Sequence, residues 1–155
     1  MRVQLAVSVP PKLKSIVYLR PDSIGDLVLF TAALAPLLKE WPDARHTLVV
    51  RPAYAELAPL FPRQLGWTLA RLNPFSQKPS ECRAALAALL TELEALKPDL
   101  IVAPALNRTW LEIAVAAHFK GVRSVVLGAQ AIDPIFAAAL RLELGGGRLR
   151  GDSPV

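Results

Sequence analysis

One cysteine, Cys82, occurs in 155 residues, so no internal disulfide can form and the composition fits a reducing compartment, the cytoplasm. Aromatic residues make up only 6%, and the lysines and arginines are scattered. That leaves no stacking platform and no polybasic cluster, so nucleic acid is not an expected partner. The two histidines, His46 and His118, stand too far from other ligand-type residues to suggest a metal site, and no metal or other cofactor is expected. Neither Gly-x-Gly-x-x-Gly nor Gly-x4-Gly-Lys is present, which excludes a dinucleotide fingerprint and a P-loop. No apolar run approaches the ~18 residues needed to cross a bilayer; the longest is Leu27 to Leu38. Met1 to Val9 runs into Pro10-Pro11-Lys12 without a small-residue cleavage site, so it does not read as a signal peptide.

What is there is an ordinary globular composition, 53% hydrophobic and 20% charged, in a length that suits one domain with a real core. The net charge of +5 and pI near 9.8 suit an anionic partner. Short β-branched runs alternate with longer apolar periodic ones. Strands are expected at Ser15–Arg20, Arg45–Arg51, Trp67–Leu72, Leu100–Pro104 and Val122–Leu127. Helices are expected at Asp26–Trp41, stopped by Pro42; at Ala53–Phe61, opened by Pro52; and from an N-cap at Ser80 along Cys82, Leu86, Leu89, Leu90, Leu93 and Leu96. Two more are expected at Asn107–Lys120, closed by Gly121, and at Asp133–Leu144. Strands alternating with helices predict a parallel sheet covered on both faces, a Rossmann-like three-layer α/β domain over residues 1–144 with a mobile tail at 145–155.

The chain is organised around Arg20-Pro21-Asp22-Ser23-Ile24-Gly25-Asp26, a strand-to-helix turn of the kind that collects ligands at the carboxyl edge of an open α/β sheet. Ser23-x-x-Asp26 is a capping-box pattern, and on residue types alone this structural role comes first. The same position also suits a general base, since a helix N-terminus keeps a carboxylate ionised and ready to take a proton from a hydroxyl. Gly25 allows a tight turn or a close ligand. Asp22 and Asp26 do not have the Asp-x-Asp spacing of haloacid-dehalogenase-type phosphatases. Arg20, Arg51 and Arg108, each at a predicted strand end, make an anion-binding rim, and Asn107 is either a sugar ligand or a helix N-cap. Asn107-Arg-Thr109 and Arg150-Gly-Asp152 match short modification and adhesion patterns of the kind that arise by chance, and Cys82 falls on an apolar helix stripe as a core residue.

The run from Arg20 to Thr31, with Ala33-Leu34 and Trp41-Pro42-Asp43-Ala44 behind it, resembles the N-terminal signature of the family 9 glycosyltransferases, the lipopolysaccharide heptosyltransferases. The resemblance extends over roughly Leu13 to Leu144. It implies the acceptor half of a two-domain GT-B enzyme that lacks here the domain binding an ADP-heptose-like nucleotide sugar. It further implies inverting transfer with Asp26 as base, and substrate contacts at Arg20, Ser23, Gly25, Arg51, Asn107 and Arg108. The acceptor would be an anionic glycolipid or saccharide, met in the cytoplasm or at the periphery of the inner membrane. A domain exposing the surface that faced its partner is expected to self-associate, as a homodimer. The competing reading is a non-catalytic binding or assembly module of the same fold.

Overall fold

The computed structural model describes residues 12–105 and 109–126. Five strands, β1 (Ser15–Leu19), β2 (Arg45–Val50), β3 (Leu65–Leu69), β4 (Leu100–Ala103) and β5 (Arg123–Val126), form one sheet in the order β3-β2-β1-β4-β5. Every neighbouring pair is parallel, with Ile16 opposite His46 on one side and Leu100 on the other. Three α-helices, α1 (Ile24–Glu40), α2 (Arg83–Leu96) and α3 (Trp110–His118), and a 3₁₀ segment, Pro52–Leu60, make the crossovers. The Rossmann-like α/β architecture expected from the alternation is what forms.

Period-two alternation along the buried strands sends side chains to two cores. Val17, Leu19, Val49, Ile101 and Ala103 meet α2 and α3 through Leu86, Leu89, Leu93, Leu111 and Val115. Ile16, Tyr18, Leu48, Val50 and Leu100 meet α1 through Leu27, Phe30 and Leu34. The chain therefore winds over one face from β1 to β3 and over the other from β3 to β5. Strands β1 and β4 lie side by side where the direction reverses, and the carboxyl ends of these two strands are the place where such a sheet opens a crevice.

One buried polar chain ties β1, β2 and the end of α1 together. A carbonyl only accepts, so His46 Nε2 donates to the Trp41 carbonyl at 2.8 Å. In the neutral imidazole Nδ1 then accepts the Tyr18 hydroxyl at 2.8 Å. Burial pushes the Tyr18 phenol up from its ordinary value.

The local departures from expectation have physical causes. Helix α1 begins at Ile24, not Asp26, because Ser23 is its N-cap, and it runs through Pro36. A mid-helix proline removes one hydrogen bond and crowds the carbonyl four residues back, but Pro36 and Ala32 are both on the exposed side, where water can serve that carbonyl, while Leu27, Phe30, Leu34 and Leu38 hold the other side buried. The segment after Pro52 is 3₁₀ rather than α. Strand β3 begins at Leu65, two residues before the expected Trp67. Ser80 does not cap α2: Pro79–Glu81 forms a separate 3₁₀ turn, and Cys82, buried in the core as expected, occupies the N-cap position. Helix α2 closes on Lys97 in the left-handed region, φ 48°. Helix α3 is capped by Thr109 and not by Asn107. The helix expected at Asp133–Leu144 and the tail at 145–155 lie outside the described residues. Among those described, no helix is long and apolar enough to cross a membrane.

Candidate functional site

The carboxyl end of β1 is fixed before the signature turn begins: the Arg20 N–H donates to the Val49 carbonyl at 2.9 Å. The chain then leaves the sheet through Pro21 and Asp22, and Ser23, with extended backbone (φ −76°, ψ 159°), caps α1. Ser23 Oγ accepts the Asp26 N–H at 3.2 Å and donates its own proton to Asp26 Oδ2 at 2.6 Å. Half of the expected capping box is thus present. In the other half the Asp26 carboxylate binds the Ser23 hydroxyl, not the Ser23 N–H. Asp26 is exposed, as are Ser23 and Gly25.

Gly25 is the second residue of α1. A Cβ placed there would meet, among the described residues, only Ser23 Oγ, at 3.7 Å, an ordinary contact. The turn itself therefore does not demand glycine, which corrects the tight-turn expectation; what the missing side chain leaves is open space next to Asp26.

Arg20 and Asp22 behave unlike open rim residues. Each is 5% exposed, and their side chains pair at 2.9 Å, with the guanidinium also lying 5.4 Å over the Phe30 ring. Arg20 thus faces a carboxylate inside the domain. Arg51, half-buried at the end of β2, donates to the Asp22 carbonyl at 3.0 Å and to the Tyr54 hydroxyl, and its guanidinium covers the Tyr54 ring at 4.9 Å. Arg108 and Asn107, the other members of the expected rim, lie outside the described residues. Of the predicted site residues, the fold gathers Arg20, Ser23, Gly25, Asp26 and Arg51 around one turn.

Two buried acids here, Asp22 and Glu112, were not among the expected site residues. Burial raises the Asp22 carboxyl above the usual carboxylate range; Arg20, its own backbone N–H and Arg51 pull it back, and the Asp26 charge pushes it up. Glu112, fully buried on α3, is raised by the same desolvation and by the Asp22 charge. Glu112 Oε2 accepts the Thr109 N–H at 2.8 Å and the Thr109 hydroxyl, in a complete capping box. Asp22 Oδ1, Glu112 Oε1 and Arg20 Nε are buried without a hydrogen-bond partner among the described residues. The Thr109-x-x-Glu112 spacing was a legible signal for Glu112; Asp22 had none beyond its place in the turn.

The loop after β3 reaches this edge as well. Trp110, the first residue of α3, donates its indole N–H to the Gln77 carbonyl at 2.8 Å. Asn73 accepts the Ser76 and Gln77 N–H groups at 3.2 and 2.9 Å, leaving Phe75 exposed. Among the described residues no group of three or more His, Cys, Asp or Glu side chains is placed to hold a metal ion.

The site therefore offers an exposed carboxylate held at the start of a helix, open space beside it, and a half-buried guanidinium across the turn, at the switch point of a parallel sheet. No protein-family model matches the sequence, and no curated protein does. Among solved structures, the chain is similar to the crystal structure of a family 9 glycosyl transferase from Veillonella parvula, with a TM-score of 0.58 and 16% identity. The likeness covers 87% of this chain and 42% of that one, so the chain spans less than half of that protein's length. A weaker likeness, TM-score 0.44 at 16% identity over 79% of this chain and 98% of the other, to the C-terminal domain of a Pyrococcus furiosus hydrogenase carries no argument. At these identities the comparison establishes a fold like that of the family 9 transferase.

Proposed function

We propose that this chain is the acceptor-side domain of an inverting glycosyltransferase of the heptosyltransferase kind, with Asp26 as its general base. The observation that carries the reading is the contrast between the two acids of the turn. Asp22 is buried against Arg20, whereas Asp26 is exposed at the carboxyl edge, with Oδ2 held by Ser23 and Oδ1 without a hydrogen bond among the described residues. Asp26 Oδ1 takes the proton of an acceptor hydroxyl as that oxygen attacks the anomeric carbon of a nucleotide sugar. The new carbon–oxygen bond forms on one face while the bond to the nucleoside diphosphate breaks on the other, which inverts the configuration.

Arg51 is the described cation best placed to meet an acidic group of the acceptor, with Asn107 and Arg108 as further contacts after β4; Arg20 contributes through Asp22. The resemblance of the signature supports an ADP-heptose-like donor and an anionic glycolipid or saccharide acceptor of the lipopolysaccharide core, hence a cytoplasmic or inner-membrane-peripheral site. Donor binding belongs to a second domain. Purified by itself with ADP-heptose and acceptor, the 155-residue chain is expected to give no product above background, while the chain joined to a donor-binding domain transfers. Measurable turnover by the chain alone contradicts this division of labour.

A further inference from the structure

We infer that Asp22 is the positioning residue for Asp26, an inference that rests on Asp26 being the base. Burying a charged pair costs desolvation that two apolar side chains of similar size would avoid, so stability alone does not account for Arg20 and Asp22 at this place. What the pair does supply is a fixed point. The side chain of Asp22 is held by Arg20, whose own N–H is bonded to the Val49 carbonyl of β2. The main-chain carbonyl of Asp22 is held by Arg51, at the other side of the turn. The next residue is Ser23, whose hydroxyl both caps α1 and grips Asp26 Oδ2. Two strands thus clamp the residue from which the base is cantilevered, and the lever is only four residues long. Glu112 completes the surroundings: the Asp22 charge opposes its ionisation, the Asp26 charge opposes that of Asp22, and those of Arg20 and Arg51 favour the Asp22 charge. A base displaced by about an ångström loses on the order of 100-fold in rate while the substrates still bind.

The test uses three variants of a transferase containing this chain together with its donor-binding domain. Asp22→Asn is expected to lower kcat about 100-fold, with KM for donor and acceptor little changed and some loss of melting temperature. The double variant Arg20→Met/Asp22→Leu replaces the buried pair by apolar side chains and is expected to regain the melting temperature but not kcat. A double variant that regains both overturns the inference, since the pair was then structural only. An Asp22→Asn enzyme with unchanged kcat also overturns it. Asp26→Asn, assayed alongside, separates the two ideas: if it keeps its turnover, the base assignment fails, whatever Asp22 does. In the 155-residue chain, amide exchange at Ile24 to Leu27 gives a readout independent of turnover. Faster exchange there in the double variant, with α2 unaffected, supports the clamp, and unchanged exchange contradicts it.

Discussion

In a transferase that joins this chain to a donor-binding domain, Asp26→Asn is expected to lower turnover roughly 100-fold to 10,000-fold, the range for loss of a general base, while the melting temperature stays nearly unchanged. The prediction is this sharp because asparagine keeps nearly everything except the basic oxygen. Its side-chain carbonyl still accepts the Ser23 hydroxyl, and the Asp26 N–H still donates to Ser23 Oγ. Ser23→Ala is the complementary variant. It removes the cap acceptor and the grip on Asp26, so it should cost stability, about 0.5–2 kcal/mol, together with the roughly 100-fold turnover loss of a displaced base. Steady-state kinetics and thermal denaturation on both variants distinguish the roles. An Asp26→Asn protein that melts much earlier yet turns over normally would mean that Asp26 only caps α1.

The largest loss of stability is expected from Arg20→Met, and it should depend on pH. The substitution leaves the Asp22 carboxylate buried without the countercharge 2.9 Å away. Breaking a buried pair from one side costs about 3–5 kcal/mol at neutral pH. Arg20 is the strongest influence holding the Asp22 carboxyl down, so without it burial raises that group further. A carboxyl whose folded pKa lies above its unfolded value, about 4, contributes stability that is fully present below that value. The contribution is lost as pH rises through the folded pKa. The deficit of Arg20→Met relative to the parent should therefore be small near pH 4, where Asp22 is neutral in the variant, and full at pH 7. Urea denaturation of both proteins at several pH values measures it; an equal deficit throughout contradicts the assignment. The parent carries the same sign at Asp22 and Glu112, since both are raised by burial.

Much of the fold was legible because its signals are local. β-Branched runs such as Ser15–Leu19 and Arg45–Val50 announce buried strands, and Leu86, Leu89 and Leu93 mark the buried side of α2. The misplaced boundaries were competitions between neighbouring caps: Thr109 prevails over Asn107 because Glu112 completes a box with it, and Ser80 loses its place to a 3₁₀ turn in which Glu81 accepts the Lys78 N–H at 2.6 Å. The site was only half legible. Ser23 and Asp26 are three residues apart, so spacing predicts their contact. The role of Asp22 depends on Arg51, 29 residues away, and on Glu112 from a different helix, neither of which a local pattern can join to it. Arg20 read as an anion-binding residue because its burial depends on Phe30 and Asp22 closing around it.

The central claim is that the carboxyl edge of this sheet receives the acceptor, and an NMR titration of the isotope-labelled chain tests it most directly. An acidic core oligosaccharide serves as one ligand and a nucleotide sugar as the other. The account predicts that the oligosaccharide shifts the amide resonances of Arg20 to Leu27 and of Arg51 to Tyr54. Ser15 and Asp99, hydrogen-bonded to each other at the amino edge, should stay still, and the nucleotide sugar should shift none of these. Shifts confined to the amino edge, or a nucleotide sugar that perturbs Ser23 to Asp26 where the oligosaccharide does not, would contradict it.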